Sequence, residues 1–117
     1  MKISVYEDNE RLSQLLCMLI EATEGMELIH AYNNCVNALQ NTKENKPDVI
    51  VMDIDMPHKL GTEAVFEIKS KYPEIKIIMH TVFDENEHLF DSLSKGADGY
   101  ILKKDSPSRL IEAIKEV

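Results

Sequence analysis

The sequence predicts an α/β protein built on one five-stranded parallel sheet with helices on both faces. Short apolar runs typical of strands alternate five times with segments whose apolar residues recur every three or four positions. The run Val49–Met52 is apolar throughout, as is typical of a strand covered on both faces. The chain has 117 residues, of which 44% are hydrophobic, so it can form one domain with a substantial core.

The first two strand-helix units are predicted at residues 3–43. A strand at 3–6 is followed by a helix that Asn9 caps and Gly25 ends. A second strand at 26–31 is less apolar and is therefore placed nearer an edge of the sheet, and a short helix is predicted at 35–43. The inward stripe of the first helix is predicted to contain Leu12, Leu15, Leu16, Leu19 and Ile20.

The remaining units follow the central strand. A third helix with Ala64, Val65, Ile68 and Tyr72 inward ends at Pro73, and a fourth strand spans 75–79.

The last part of the chain carries two helix-start signals. Asp84-x-x-Glu87 has the pattern of a capping box, and Ser106-Pro107 predicts a cap followed by proline at the first helical position. A fifth strand is predicted at 100–102. The inward residues of the last two helices are predicted to be Leu89, Phe90 and Leu93, then Leu110, Ile111, Ile114 and Val117.

The flavodoxin-like strand order 2-1-3-4-5 fits this pattern, because it puts the two most apolar strands, the third and fourth, towards the middle of the sheet.

Charge and composition exclude several classes of function. Thirteen basic against 21 acidic residues give a net charge of −8, which argues against direct nucleic-acid binding and suits a cation or a basic partner. No apolar run is long enough to cross a membrane, and no signal peptide is expected at the amino terminus. Cys17 and Cys35 form no metal-binding or disulfide pattern, so two free thiols in a reducing cytoplasm are expected.

Polar side chains of selected types stand where the predicted strands end. The first strand ends at Glu7-Asp8, the third at Asp53, the fourth at Thr81 and the fifth at Lys103. Because the carboxyl ends of parallel strands share one edge, these groups are expected in one crevice. Three carboxylates so placed repel one another, and a bound Mg²⁺ relieves that repulsion with the hard oxygen ligands it prefers.

This set of groups contains the parts needed for phosphoryl transfer onto Asp53: a carboxylate nucleophile, a cation, an ammonium and a hydroxyl. Each residue alone has a simpler interpretation, as a turn aspartate, first-turn acids, a helix cap or a solvated lysine. Four strand ends carrying these types together favour the functional interpretation.

The sequence resembles the receiver domain of two-component response regulators, of the LuxR/NarL type, over essentially its whole length. The matching segments are Glu7-Asp8, Met52-Asp53-Ile54-Asp55-Met56-Pro57 with Gly61, Thr81, and Gly96-Ala97-Asp98-Gly99-Tyr100-Ile101-Leu102-Lys103.

The resemblance implies a role for each matching residue. Asp53 is the phosphoacceptor, and Mg²⁺ is held by Glu7, Asp8, Asp53 and the backbone carbonyl of Asp55. Lys103 contacts the phosphoryl group, and Thr81 and Tyr100 form a switch pair.

The resemblance also implies partners. A sensor histidine kinase supplies the phosphoryl group, and a homodimer through the fourth helix, fifth strand and fifth helix is a further expectation. Residues 1–117 are interpreted as the receiver alone. A helix-turn-helix output domain, which the LuxR/NarL type implies, is not found among them.

Three features depart from the family pattern without removing a required chemical group. Lys104 replaces a proline that is common after the lysine, and since a non-proline cis bond costs roughly 3 kcal/mol a trans bond is expected. Val82 stands where small residues are common and is predicted to shield the phosphoryl group from water. The alternative is that Val82 points into the packing of the fourth strand and only supports the fold. His58-Lys59-Leu60 replaces a loop richer in Gly, Asn or Asp. His58 and His80 are interpreted as non-ligands.

Two other functions are compatible with part of the sequence. Asp53-x-Asp55 resembles the D-x-D of haloacid-dehalogenase-type phosphatases, but those carry the motif on their first strand in a larger chain. A receiver fold that only binds proteins and is never phosphorylated is the other alternative, and the acidic pair with Lys103 argues against it.

Overall fold

The computed structural model describes all residues, 1–117, as five consecutive strand-helix units. The strands are β1 (Lys2–Tyr6), β2 (Glu27–Tyr32), β3 (Val49–Met52), β4 (Lys76–Thr81) and β5 (Gly99–Leu102). The helices are α1 (Glu10–Ala22), α2 (Ala38–Asn45), α3 (Gly61–Lys71), α4 (Asn86–Ser94) and α5 (Pro107–Glu116). All neighbouring strands pair in parallel in the order β2-β1-β3-β4-β5, which confirms the predicted fold.

The central strand β3 divides the interior into two cores. Its residues are all buried, and their alternation sends Ile50 and Met52 to one face and Val49 and Val51 to the other. Ile68 of α3 packs in the first core, whereas the second receives the buried residues of α1 and α5. This two-sided burial explains why the strand is apolar throughout.

The pairing of β1 with β2 contains a register shift. Ile3 lies opposite Leu28, but Ser4 lies opposite His30, so Ile29 is an extra residue in β2. Beyond the shift Tyr32 stacks on Tyr6, with ring centroids 4.7 Å apart.

The start of α2 differs from the prediction. The helix begins at Ala38 rather than at residue 35, because the Asn34 side chain accepts a hydrogen bond from Val36 N and holds this segment in a turn. Cys35 is instead buried, and its Sγ lies 3.1 Å from the Lys59 carbonyl oxygen.

The predicted inward stripes were too wide. Leu15, Phe90 and Leu93 are exposed by 42%, 65% and 45%, because each helix touches the narrow sheet along a thinner strip than its apolar pattern suggests. Val117 is likewise 36% exposed, at the end of α5.

The predicted capping box is also wrong. Glu85, not Asp84, is the N-cap of α4, and no side chain bonds to that helix end.

No helix combines the length and the apolar character that crossing a membrane requires.

Candidate functional site

Three strand ends bring Glu7, Asp53 and Lys103 into contact at the carboxyl edge of the sheet. Lys103 Nζ lies 2.6 Å from Asp53 Oδ2 and 2.8 Å from Glu7 Oε1. Glu7 and Asp53 are almost fully buried, whereas Lys103 is partly exposed. The ammonium therefore bridges two carboxylates that would otherwise repel each other.

Backbone groups fix both carboxylates in place. Asp53 Oδ1 accepts a hydrogen bond of 2.7 Å from Ile54 N, and Glu7 Oε2 accepts one of 3.0 Å from Asn9 N. Asp53 N donates to the Tyr6 carbonyl at 3.1 Å, which continues the β1–β3 pairing up to the site. The sheet itself thus positions the Asp53 carboxylate.

Gly61 allows α3 to start directly against Asp53. A Cβ at this position would lie 1.8 Å from the Asp53 carbonyl oxygen, and Gly61 N donates to the Ile54 carbonyl at 2.8 Å. Only glycine permits this approach of the two backbones.

Burial and charge oppose each other in setting the proton affinities of the site. Burial raises the pKa of Asp53, although the hydrogen bond from Lys103 acts in the opposite direction. Burial raises the pKa of Glu7 in the same way. Burial alone would lower the pKa of Lys103, but its bonds to Asp53 and Glu7 outweigh that effect and raise it. The lysine therefore stays cationic at neutral pH.

The acidic residues fit a hard divalent cation. One carboxylate oxygen from each of Glu7, Asp8 and Asp53 lies within 4.8 Å of the others, and Asp8 is exposed, so the cluster opens to solvent. Three oxygen donors with room for water are typical of a Mg²⁺ site. The side chain of Asp55 is exposed and lies outside this cluster.

Thr81 and Tyr100 both contact Phe83, a residue that the sequence analysis did not single out. Thr81 is fully buried, and its Oγ1 accepts a hydrogen bond of 3.2 Å from Phe83 N. The Tyr100 hydroxyl donates to the Phe83 carbonyl at 2.7 Å. Both bonds use the backbone of Phe83, so no side-chain pattern could have revealed this link.

The residues that depart from the family pattern lie near the site without entering the acidic cluster. Val82 is 66% exposed beside the site, and no peptide bond in the chain is cis, so the bond before Lys104 is trans as expected. His58 is exposed with a φ of 73°, and His80 is buried. Neither histidine belongs to the acidic cluster.

Comparison with known proteins gives consistent matches. The family model described as "Response regulator receiver domain" matches residues 3–115. The chain is 36% identical over 118 residues to the oxygen regulatory protein NreC of Staphylococcus epidermidis, and 37% identical to NreC of Staphylococcus aureus. Each alignment covers 100% of this chain and 54% of the relative, so the chain spans about half the length of these curated relatives.

Solved structures show the same architecture. A DNA-binding response regulator of the LuxR family from Staphylococcus aureus superposes with a TM-score of 0.92 and 30% identity, covering 98% of this chain and 96% of that one. A LuxR-family two-component response regulator from Aurantimonas superposes with a TM-score of 0.93 and 25% identity, covering 98% and 82%.

Proposed function

This chain belongs to the response regulator receiver family, of the LuxR/NarL type, and from that membership we propose that Asp53 accepts a phosphoryl group and thereby switches a protein-binding surface. The observation that carries the proposal is the pairing of buried Asp53 with Lys103, next to two further carboxylates. Buried, pre-positioned charge of this kind is typical of a phosphoryl-transfer site.

The proposed reaction is a displacement at phosphorus. An Asp53 carboxylate oxygen forms the new P–O bond, while the P–N bond of a kinase phosphohistidine or the P–O bond of a small acyl phosphate breaks. The leaving group keeps the electron pair of that bond. Lys103 Nζ lies 2.6 Å from Asp53 Oδ2. It is proposed to donate charge-assisted hydrogen bonds to the phosphoryl oxygens once they are attached to Asp53.

Mg²⁺ is the proposed cofactor, held by Glu7, Asp8 and Asp53 with the Asp55 backbone carbonyl. When bound there, it would supply positive charge that offsets the negative charge of the phosphoryl oxygens. The chain's own contribution is to keep the carboxylates fixed through Ile54 N and Asn9 N.

The proposed output is a change at Thr81 and Tyr100. The Thr81 hydroxyl donates to a phosphoryl oxygen in the phosphorylated protein, and the surrounding surface of α4, β5 and α5 changes with it. That surface is the proposed site of homodimer formation. A sensor histidine kinase is the proposed phosphoryl donor, and cytoplasmic location is proposed from the two free thiols.

The LuxR-family relatives suggest that the switch controls a DNA-binding output domain. The net charge of −8 supports a receiver that does not itself contact nucleic acid.

The test is phosphorylation by acetyl phosphate with Mg²⁺, followed by intact mass spectrometry. We expect one added phosphoryl group, none in Asp53→Asn and none in EDTA. Asp91→Asn is the matched control, because its exposed side chain on α4 lies outside the acidic cluster, and it should be phosphorylated like the parent. An adduct that persists in Asp53→Asn contradicts the proposal, and rapid turnover of phosphate esters indicates a phosphatase instead.

A further inference from the structure

Helix α4 is weakly anchored to the rest of the molecule. Ser92 is its only buried residue, and the Oγ of that serine has no hydrogen-bond partner. The helix starts at Glu85 without a side-chain cap, and its first backbone bonds, from His88 N and Leu89 N to the Glu85 carbonyl, measure 3.2 and 3.4 Å. An element with so few buried contacts moves at low free-energy cost.

Phe83 connects α4 to the site at three points. Its N–H donates to Thr81 Oγ1, its carbonyl accepts from the Tyr100 hydroxyl, and its ring stacks on the imidazole of His88. The ring centroids of Phe83 and His88 lie 4.2 Å apart with an interplanar angle of 14°. His88 is in the first turn of α4, so the stack joins the loop directly to the helix.

The two backbone bonds of Phe83 are of a kind that any residue can make, whereas the aromatic stack depends on the side chains of this chain. Thr81 is fully buried. Water therefore cannot replace Phe83 N as the hydrogen-bond partner of its hydroxyl unless the loop rearranges. When the hydroxyl turns toward a group on Asp53, the 3.2 Å bond from Phe83 N lengthens and the Phe83 backbone is released. The ring then carries that displacement to His88.

We propose that the Phe83–His88 stack is the contact through which the phosphorylation state of Asp53 sets the position of α4. Phe83 and His88 are thus positioning residues for the output surface and take no part in the chemistry at Asp53. The inference rests on the proposed phosphorylation of Asp53 and adds to it the route by which the signal reaches the helix.

The experiment compares amide chemical shifts with and without beryllofluoride and Mg²⁺ in the parent and four variants of the full chain. His88→Ala removes the stack from the helix side, and Phe83→Leu removes the aromatic face while keeping both backbone bonds. His88→Phe restores a stacking partner. Phe90→Ala is the matched control, because Phe90 is an exposed aromatic residue of the same helix that makes no stack.

We expect beryllofluoride to change the amide chemical shifts of Asp53, Thr81 and residues 86–94 in three proteins: the parent, the His88→Phe variant and the Phe90→Ala variant. In His88→Ala and Phe83→Leu the shifts at Asp53 and Thr81 should remain, while most of the response of residues 86–94 is lost. Thermal melting of each variant verifies that α4 and the sheet remain folded.

Two results overturn the inference alone. The first is that residues 86–94 respond in both His88→Ala and Phe83→Leu as they do in the parent. The second is that the response vanishes at Thr81 as well, which makes the stack a requirement of the site. The acetyl phosphate reaction separates these from failure of the proposed function: if the parent forms no adduct at Asp53, both proposals fall together.

Discussion

At the scale of single residues, Lys103 gives the site an internal counter-ion. Its ammonium contacts Asp53 and Glu7 at once, so two buried carboxylates share one positive charge. Asp8 has no such bond and remains exposed. The site therefore retains net negative charge on the side open to solvent.

Val82 directly follows Thr81 and bears on how long the proposed phosphoryl group on Asp53 would survive. Its 66% exposure shows that the side chain is not packed into the β4 core, so the expectation that Val82 only supports the packing of that strand is wrong. A stiff β-branched side chain beside the site restricts the in-line approach of water to phosphorus. We expect Val82→Ala to lose its phosphoryl group faster, on the order of a few-fold.

The measurement is the decay of the acetyl phosphate adduct by mass spectrometry after removal of the donor. Val36→Ala, at another exposed valine, should decay like the parent. Since Val82 is exposed, its substitution should change the free energy of unfolding by less than about 0.5 kcal/mol. An equal or slower decay in Val82→Ala rules out the shielding role.

At the scale of elements, the junction of β3 and α3 is the closest backbone contact in the site. We expect Gly61→Ala to lower the free energy of unfolding by roughly 3 kcal/mol or more, because its Cβ would lie 1.8 Å from the Asp53 carbonyl oxygen. Phosphorylation should slow as well, since the displaced backbone belongs to Asp53, the proposed phosphoacceptor.

Urea unfolding measures the first effect and adduct formation the second. Gly25→Ala is the control: its φ is 86° but no atom lies within 4 Å of the added Cβ. We expect it to lower the free energy of unfolding by about 1 kcal/mol and to leave phosphorylation unchanged. Equal effects of the two substitutions would count against the steric argument.

At the scale of the whole molecule, one buried histidine gives stability a dependence on pH. His80 is 5% exposed, its Nδ1 has no partner, and burial followed by the nearby charge of Lys103 lowers its pKa to about 4, while Asp105 acts in the opposite direction. A lowered pKa means that the unfolded chain takes up the proton first, so stability present above pH 6.5 is lost as the pH falls toward 4.

We expect this single group to remove roughly 2 kcal/mol from the free energy of unfolding between pH 7 and pH 5. Glu7 and Asp53, whose pKa values are raised, act in the opposite sense as they take up protons, so the contribution of His80 is isolated by comparing variants.

Urea unfolding at the two pH values makes that comparison. In His80→Gln this change in the free energy of unfolding between pH 7 and pH 5 should be lost, whatever the stability of the variant at pH 7. His30→Gln, at an exposed position, should retain the change. An unchanged pH dependence in His80→Gln would show that the imidazole is not the group responsible.

The fold and the members of the site follow from the sequence because both rest on patterns that survive any packing detail. The alternation of strands and helices fixes a parallel sheet, and a parallel sheet gathers its strand ends, so Glu7, Asp53, Thr81 and Lys103 meet at one edge.

The features that escaped prediction depend on tertiary geometry. Phe90 and Leu93 have helical spacing, but the four-residue edge strand β5 offers too little surface to cover them. The start of α2 is set by the hydrogen bond that the Asn34 side chain accepts from Val36 N, and the link through Phe83 uses its backbone. Apolar periodicity carries no information on any of these.

The extra residue Ile29 shifts the alternation of side chains between the two faces of β2 by one position. Leu28 and Ala31 are three positions apart, yet both pack on the same core, because Ile29 interrupts the alternation between them. Deleting Ile29 would restore regular pairing and leave the residues after it in their present partnership with β1. Related chains can therefore gain or lose one residue here without moving the core-facing side chains of β2 to the other face of the sheet. We expect such chains to differ in length at position 29.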